Sequence, residues 1–208
     1  MENKVWKGRI KKNTDKSVEN FTCSLDIDKS LYKYDIMGTA AHVICLNRIG
    51  VVSDSEIKEI FKGLKKIKKN IEKGAVEENF YEDIHSMIEI ELEKMIGSHA
   101  GKIHTGRSRN DQIVLDEKLF IKDAVIDILG KILALQKVII NTAEDKIGII
   151  IPAYTHMQKA QPVLLSHYLM SFFKKFNRDA DNLFVNFENS DYLPLGAAAC
   201  AGSGYKLD

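Results

Sequence analysis

Residues 112–146 read QIVLDEKLFIKDAVIDILGKILALQKVIINTAEDK, thirty-five positions with one glycine and no proline. Ile113, Leu119, Val125, Ile128, Leu129, Ile132, Leu135, Val138 and Ile139 spread apolar groups over most of a helical circumference. At ~1.5 Å per residue the segment forms a helix on the order of 50 Å long. A helix that long and that apolar needs neighbours on several sides, so it belongs at the centre of a bundle, one that chains can share. Asp116, Lys118, Lys122, Asp123, Asp127 and Lys131 interrupt it too often for a membrane span.

The same punctuation holds on either side of this segment. The three prolines, Pro152, Pro162 and Pro194, all fall in the last third of the 208 residues. Toward the N-terminus, Leu31, Tyr34, Asp35, Gly38, Ala41, His42 and Cys45 recur at helical spacing, a helix with a stripe of small residues. Ser53 and Glu56 form a capping-box pattern ahead of Ile57, Ile60, Phe61, Leu64 and Ile67, with Gly74 as the stop. A third helix is expected from about Asp83 to Ile96, ended by Gly97. On the far side, a second long helix is expected to start at Pro162, where a first-turn proline costs nothing, and to run to about Glu188. The expectation is an all-α chain: a small N-terminal helical domain over 1–103, then the first long helices of a central bundle over 104–208.

Composition narrows the function. With 45% apolar residues the chain can bury a core, and 30 basic against 29 acidic residues leave a net charge of +1. No global basic field recruits nucleic acid or an anionic membrane, so neither is expected as a partner. Cys23, Cys45 and Cys200 are odd in number and form no C-x-x-C pair, which suits reduced thiols and a cytoplasmic location. The six histidines include no H-E-x-x-H or similar pair, so no metal is expected. The stretch GAAACAGSGYK (196–206) matches no nucleotide-binding glycine pattern.

Two polar clusters remain. KIHTGRSRNDQIV (102–114) places Arg107, Arg109, Asn110 and Asp111 where the long helix begins, and unpaired N–H groups with the helix dipole favour an anion there. Guanidinium forks suit a carboxylate or a phosphate. The other reading has Asn110 capping the helix while the arginines pair with acidic neighbours. YTHMQKAQP (154–162) offers Thr155, His156, Gln158 and Gln161 before the other long helix; His156 can move a proton near neutrality, or be a solvated residue beside a cap. Antiparallel neighbours within one chain would put the two loops at opposite ends. Sharing one site then requires an oligomer.

HTGRSRNDQ (104–112) resembles the motif of the argininosuccinate lyase family. YTHMQKAQP resembles the Thr-His-x-Gln-x-Ala-Gln-Pro segment of the wider fumarase and aspartase superfamily. VWKGR (5–9), FTCSLDIDKSLYKYDIMGTAAH (21–42), EDIH (82–85) and PLGAAACAGSGY (194–205) are similar to further family segments. The resemblance implies a carbon-nitrogen lyase of arginine biosynthesis that splits argininosuccinate reversibly into arginine and fumarate without metal or organic cofactor. It implies a homotetramer with each active site built from three chains. It assigns Ser24, Arg109, Asn110 and Thr155 to holding the substrate, sets Asp28 and His85 in or beside that site, and gives His156 a part in proton transfer. The family's serine-bearing Gly-Ser-Ser-x-Met-Pro loop has no counterpart in the 208 residues, so the chain is expected to be an N-terminal portion, inactive alone. Alternatives are another fumarate-releasing enzyme, such as an adenylosuccinate lyase, and a catalytically silent, crystallin-like scaffold.

Overall fold

The computed structural model describes residues 14–76 and 81–207. The family-like stretch 5–9 lies outside them. Two compact units divide the chain: the described residues up to Glu117 together with those from Leu193 onward, and Lys118–Tyr192.

The first unit opens with α1 (Lys16–Thr22) and the single turn α2 (Leu25–Asp28), then α3 (Tyr32–Arg48), α4 (Asp54–Glu72) and α5 (Ile84–Ile96). The starts of α4 and α5 and the end of α5 have local causes. Ser53 and Glu56 form the expected capping box at α4, with Ser53 N–H donating to Glu56 Oε2 at 2.8 Å and Glu56 N–H to Ser53 Oγ at 3.3 Å. Asp83 does the same for α5, accepting from Ser86 N–H at 2.6 Å while its own N–H donates to Ser86 Oγ at 3.2 Å. Gly97, at φ 71°, ends α5 in a conformation that disfavours a Cβ. Inside these caps Val43, Leu46, Val52, Ile60, Leu64, Ile67, Ile84, Ile88 and Leu92 form one buried core, joined by Ile103 from a tight helical stretch over Gly97–His104. The long helix α6 (Arg109–Asp145) comes next.

The second unit contains most of α6, a hairpin of β1 (Ile150–Thr155) and β2 (Gln158–Leu164), and α7 (Leu165–Asn189). The long helix stands as expected; its partner does not begin at Pro162. That proline lies in β2, directly opposite Pro152 of β1, and α7 starts three residues later. The physical reason is that a two-stranded ribbon is all edge, so a proline without an N–H is tolerated there, and β-branched Ile150, Ile151 and Val163 favour extension. Within this unit Gln136 Nε2 donates to the Phe173 carbonyl at 3.4 Å, and Lys122 pairs with Asp191. Ile126, Leu133 and Val138 on α6, and Phe184 and Val185 on α7, are exposed in the single chain. Among the described residues no helix is long and apolar enough to cross a membrane.

The contact between α4 and α5 is close enough to be tested. A Cβ added to Gly63 would meet Leu92 Cδ1 at 2.4 Å, inside a side chain that is fully buried. Gly63→Ala is therefore expected to destabilise the first unit by about 1–3 kcal/mol, read as a lower urea midpoint with an unchanged slope. A midpoint at or above that of the parent would show the interface to be loosely packed.

Candidate active site

The small-residue stripe on α3 has a structural purpose. Gly38 leaves room for Leu115 of α6, whose Cδ2 would sit 2.8 Å from an added Cβ. This close approach brings Asp35, Thr39 and His42 of α3, all buried, against the start of α6. Asp35 Oδ2 accepts from His85 Nδ1 of α5 at 2.5 Å and from Gln112 Nε2 of α6 at 2.6 Å. Thr39 Oγ1 donates to Asp35 Oδ1 at 3.2 Å and accepts from Arg107 Nη1 at 3.0 Å. His42 Nε2 donates to the Thr105 carbonyl at 2.9 Å. One helix thereby holds both ends of the GRSRND segment.

The start of α6 is capped by Ser108 and Asp111 of the motif, not by Asn110. Asn110 N–H donates to Ser108 Oγ at 3.2 Å, and Ser108 N–H to Asp111 Oδ1 at 3.0 Å. Asp111 Oδ2 also accepts from Ala198 N–H at 2.8 Å, which ties the PLGAAAC turn to the same helix end. Ser108 and Asp111 stand three apart, and that spacing was the available signal. With the cap supplied by Ser108, the Asn110 side chain is exposed and makes no hydrogen bond among the described residues. Arg109 is divided: Nη2 pairs with Glu89 Oε2 at 2.6 Å and Nη1 donates to Gln112 at 2.9 Å. The acidic-neighbour reading therefore describes Arg109 in the single chain. Arg107 is buried, its Nε unpartnered, and burial lowers its pKa.

The other candidates fall into two places. Ser24 Oγ donates to Asp28 Oδ2 at 2.6 Å, and Asp28 Oδ1 accepts from Ile84 N–H at 3.0 Å, beside His85. Ser24, Asp28 and His85 thus gather at the start of α5, where Asp28 and Asp83 both occupy N–H groups that a helix leaves unpaired. Thr155 and His156 belong to the second unit, at the tip of the hairpin. His156 and Met157 form its two-residue turn with φ of 50° and 61°. Neither is a glycine, and each such residue costs of order 1 kcal/mol. Thr155 and His156 are exposed.

Asp116 completes the buried set. It is fully buried, its Oδ2 lies 3.3 Å from His85 Nδ1, and neither carboxylate oxygen has a hydrogen-bond partner. Burial, reinforced by the Asp35 charge, pushes its pKa up to about 9. Burial would also raise Asp35, but the His85 hydrogen bond and the Arg107 and Arg109 charges outweigh it and hold Asp35 below the usual range. Two neighbouring acids buried together carry one negative charge between them. Ligand atoms of Asp35, His85 and Asp116 lie within 4.8 Å of one another, a group that could meet a metal ion. With two arginines adjacent and Asp35 Oδ2 already committed to two donors, a proton fits this pocket better than a divalent cation.

A family model described as "Lyase" matches residues 8–208. The chain belongs to this lyase family. The lyase chain is 41% identical to an argininosuccinate lyase of Syntrophobacter fumaroxidans over 209 residues, covering 100% of this chain and 45% of that one. It is 44% identical to an argininosuccinate lyase of Clostridium kluyveri, over 99% of this chain and 47% of the relative. It therefore spans about half the length of the curated relatives it matches. A solved structure of EDDS lyase in complex with formate superposes with a TM-score of 0.76 at 29% identity, over 86% of this chain and 35% of that one. A class II fumarase from Schistosoma mansoni, at 16% identity and a TM-score of 0.68 over 86% of this chain and 41% of its own, shares the fold.

The raised pKa of Asp116 has a consequence for stability. Below about pH 4 the group is protonated whether the chain is folded or not. From there to about pH 9 the folded state keeps a proton that the unfolded chain has released, so stability falls as pH rises. Asparagine is neutral throughout. Between pH 5 and pH 8, urea unfolding of Asp116→Asn is expected to gain on the parent by up to ~1.4 kcal/mol per pH unit. Parallel pH profiles would mean that Asp116 is ionised.

Proposed function

We propose that this chain is the N-terminal portion of an argininosuccinate lyase. The observation that carries the reading is the match along the whole of this chain, at 41% identity or more, to proteins of that name. The polar cluster that starts α6 supports it, since Asn110 is left free by the Ser108 cap and stands with Arg109 at a helix N-terminus.

In the proposed reaction a base removes a proton from the succinyl carbon next to a carboxylate. The C–N bond to the guanidine then breaks, its electron pair leaves with nitrogen, and a general acid protonates that nitrogen. The products are fumarate and arginine. The intermediate carries extra negative charge on the carboxylate, which preorganised donors stabilise. Arg109, Asn110, Ser24 and Thr155 are the proposed substrate-holding groups, with Asp28 and His85 beside them. His156 is the proposed proton-transfer residue, a role suited to an imidazole near neutral pH. Engagement of Arg109 by substrate requires it to leave or share Glu89.

The reading includes a cytoplasmic homotetramer. Exposed Ile126, Leu133 and Val138 on α6 and Phe184 and Val185 on α7 support association, because apolar faces of this kind mark interfaces. Another fumarate-releasing lyase is the second reading, favoured by the likeness to an EDDS lyase variant solved with bound fumarate.

Fumarate release by the full-length protein, with argininosuccinate and adenylosuccinate offered separately, tests the reaction. Release from argininosuccinate alone is expected; release from neither, in a folded oligomer, favours the silent scaffold. In the same assay His156→Asn is expected to lower kcat far more than it changes KM, and Asn110→Ala to affect both. Near-normal kcat in His156→Asn would remove that histidine from the mechanism.

A further inference from the structure

We infer that Asp35 is the positioning residue of this site: one buried carboxylate fixes the His85 ring through Nδ1 and sets the first turn of α6 through Gln112 and through Thr39 and Arg107. The inference rests on the lyase reading for its kinetic consequence, and on geometry alone for its structural one.

Three helices meet at this carboxylate. Asp35 is 1% exposed, and its two oxygens take donors from α3, α5 and α6. Gln112 is itself buried and uses both ends of its amide, since Nε2 donates to Asp35 while Oε1 accepts from Arg109 Nη1 at 2.9 Å. The direction of the Arg109 guanidinium is thereby linked to Asp35 through one side chain. A hydrogen bond at Nδ1 determines which imidazole nitrogen carries a proton. With Nδ1–H held by Asp35, only Nε2 remains free to exchange one.

Asp116 offers a control. It is buried beside the same His85, yet it accepts no hydrogen bond. Replacing Asp116 with asparagine swaps one neutral group for another. Replacing Asp35 with asparagine removes the negative charge and leaves one acceptor atom where two oxygens had received three donors. Equal effects of the two substitutions would be the mark of a merely packed polar core. Unequal effects are the mark of positioning.

The experiment uses the full-length protein with histidine labelled in 15N, compared as wild type, Asp35→Asn and Asp116→Asn. In the wild type, His85 Nδ1 is expected to carry a proton whose resonance is shifted far downfield by the short bond. Asp35→Asn is expected to lose that resonance and to lower kcat/KM for argininosuccinate by at least about tenfold. Asp116→Asn is expected to keep the resonance and to change kcat/KM far less. An unprotonated Nδ1 in the wild type, or wild-type kcat/KM in folded Asp35→Asn, overturns the inference. If Asp35→Asn fails to fold, the Nδ1 state in the wild type decides alone. A wild type that releases no fumarate refutes the assigned reaction, while the His85 resonance still decides whether Asp35 holds the ring.

Discussion

A buried carboxylate must be satisfied or neutralised, and that constraint organises the first unit of this chain. Asp35 is satisfied, by His85, Gln112 and Thr39. Asp116, in the same space, is neutralised instead, because a second charge there would face both desolvation and repulsion. The path of the chain from α5 into α6 depends on this arrangement. The loop over 104–108 is held on α3 by His42 and Thr39, and α6 begins where Ser108 and Asp111 cap it. Asn110 is exposed because others do the capping.

The helices were legible in the sequence because their causes are local. Ser53-x-x-Glu56 and the glycines after Glu72 and Ile96 are short-range signals, the apolar periodicity of α4 is strong, and α6 is a long run without proline. The hairpin was missed for an equally physical reason. Pro162 suits the first turn of a helix and suits an edge strand, and φ near −65° is compatible with both. What decides between them is the pairing of residues 150–155 with 158–164, which the proline alone does not reveal. The turn gave no help either, since His156 and Met157 occupy positive φ where the usual signal is Asn-Gly.

The site was legible in part. The GRSRND cluster announced itself by density of function, and Asn110 stands at the start of the long helix as the sequence implied. Neither Asp35 nor Asp116 stood out, because a lone acid within a helical pattern looks the same whether it faces water or a neighbouring helix. Gly38 was the available clue: a glycine one turn after an aspartate in a small-residue stripe marks where another helix comes close, and that is where Leu115 and Asp116 pack. The pairing of Arg109 with Glu89 was likewise invisible, since the two are twenty positions apart and meet only once α5 and α6 are placed.

An ionised Asp35 joins α3 to the first turn of α6. A double-mutant cycle on unfolding free energy, with Asp35→Asn, Gln112→Met and the pair, measures this link most directly. A coupling of about 1.5–3 kcal/mol is predicted, as for a hydrogen bond to a charged group in a buried setting. Additivity within about 0.3 kcal/mol would contradict it and leave α6 held there by apolar packing alone.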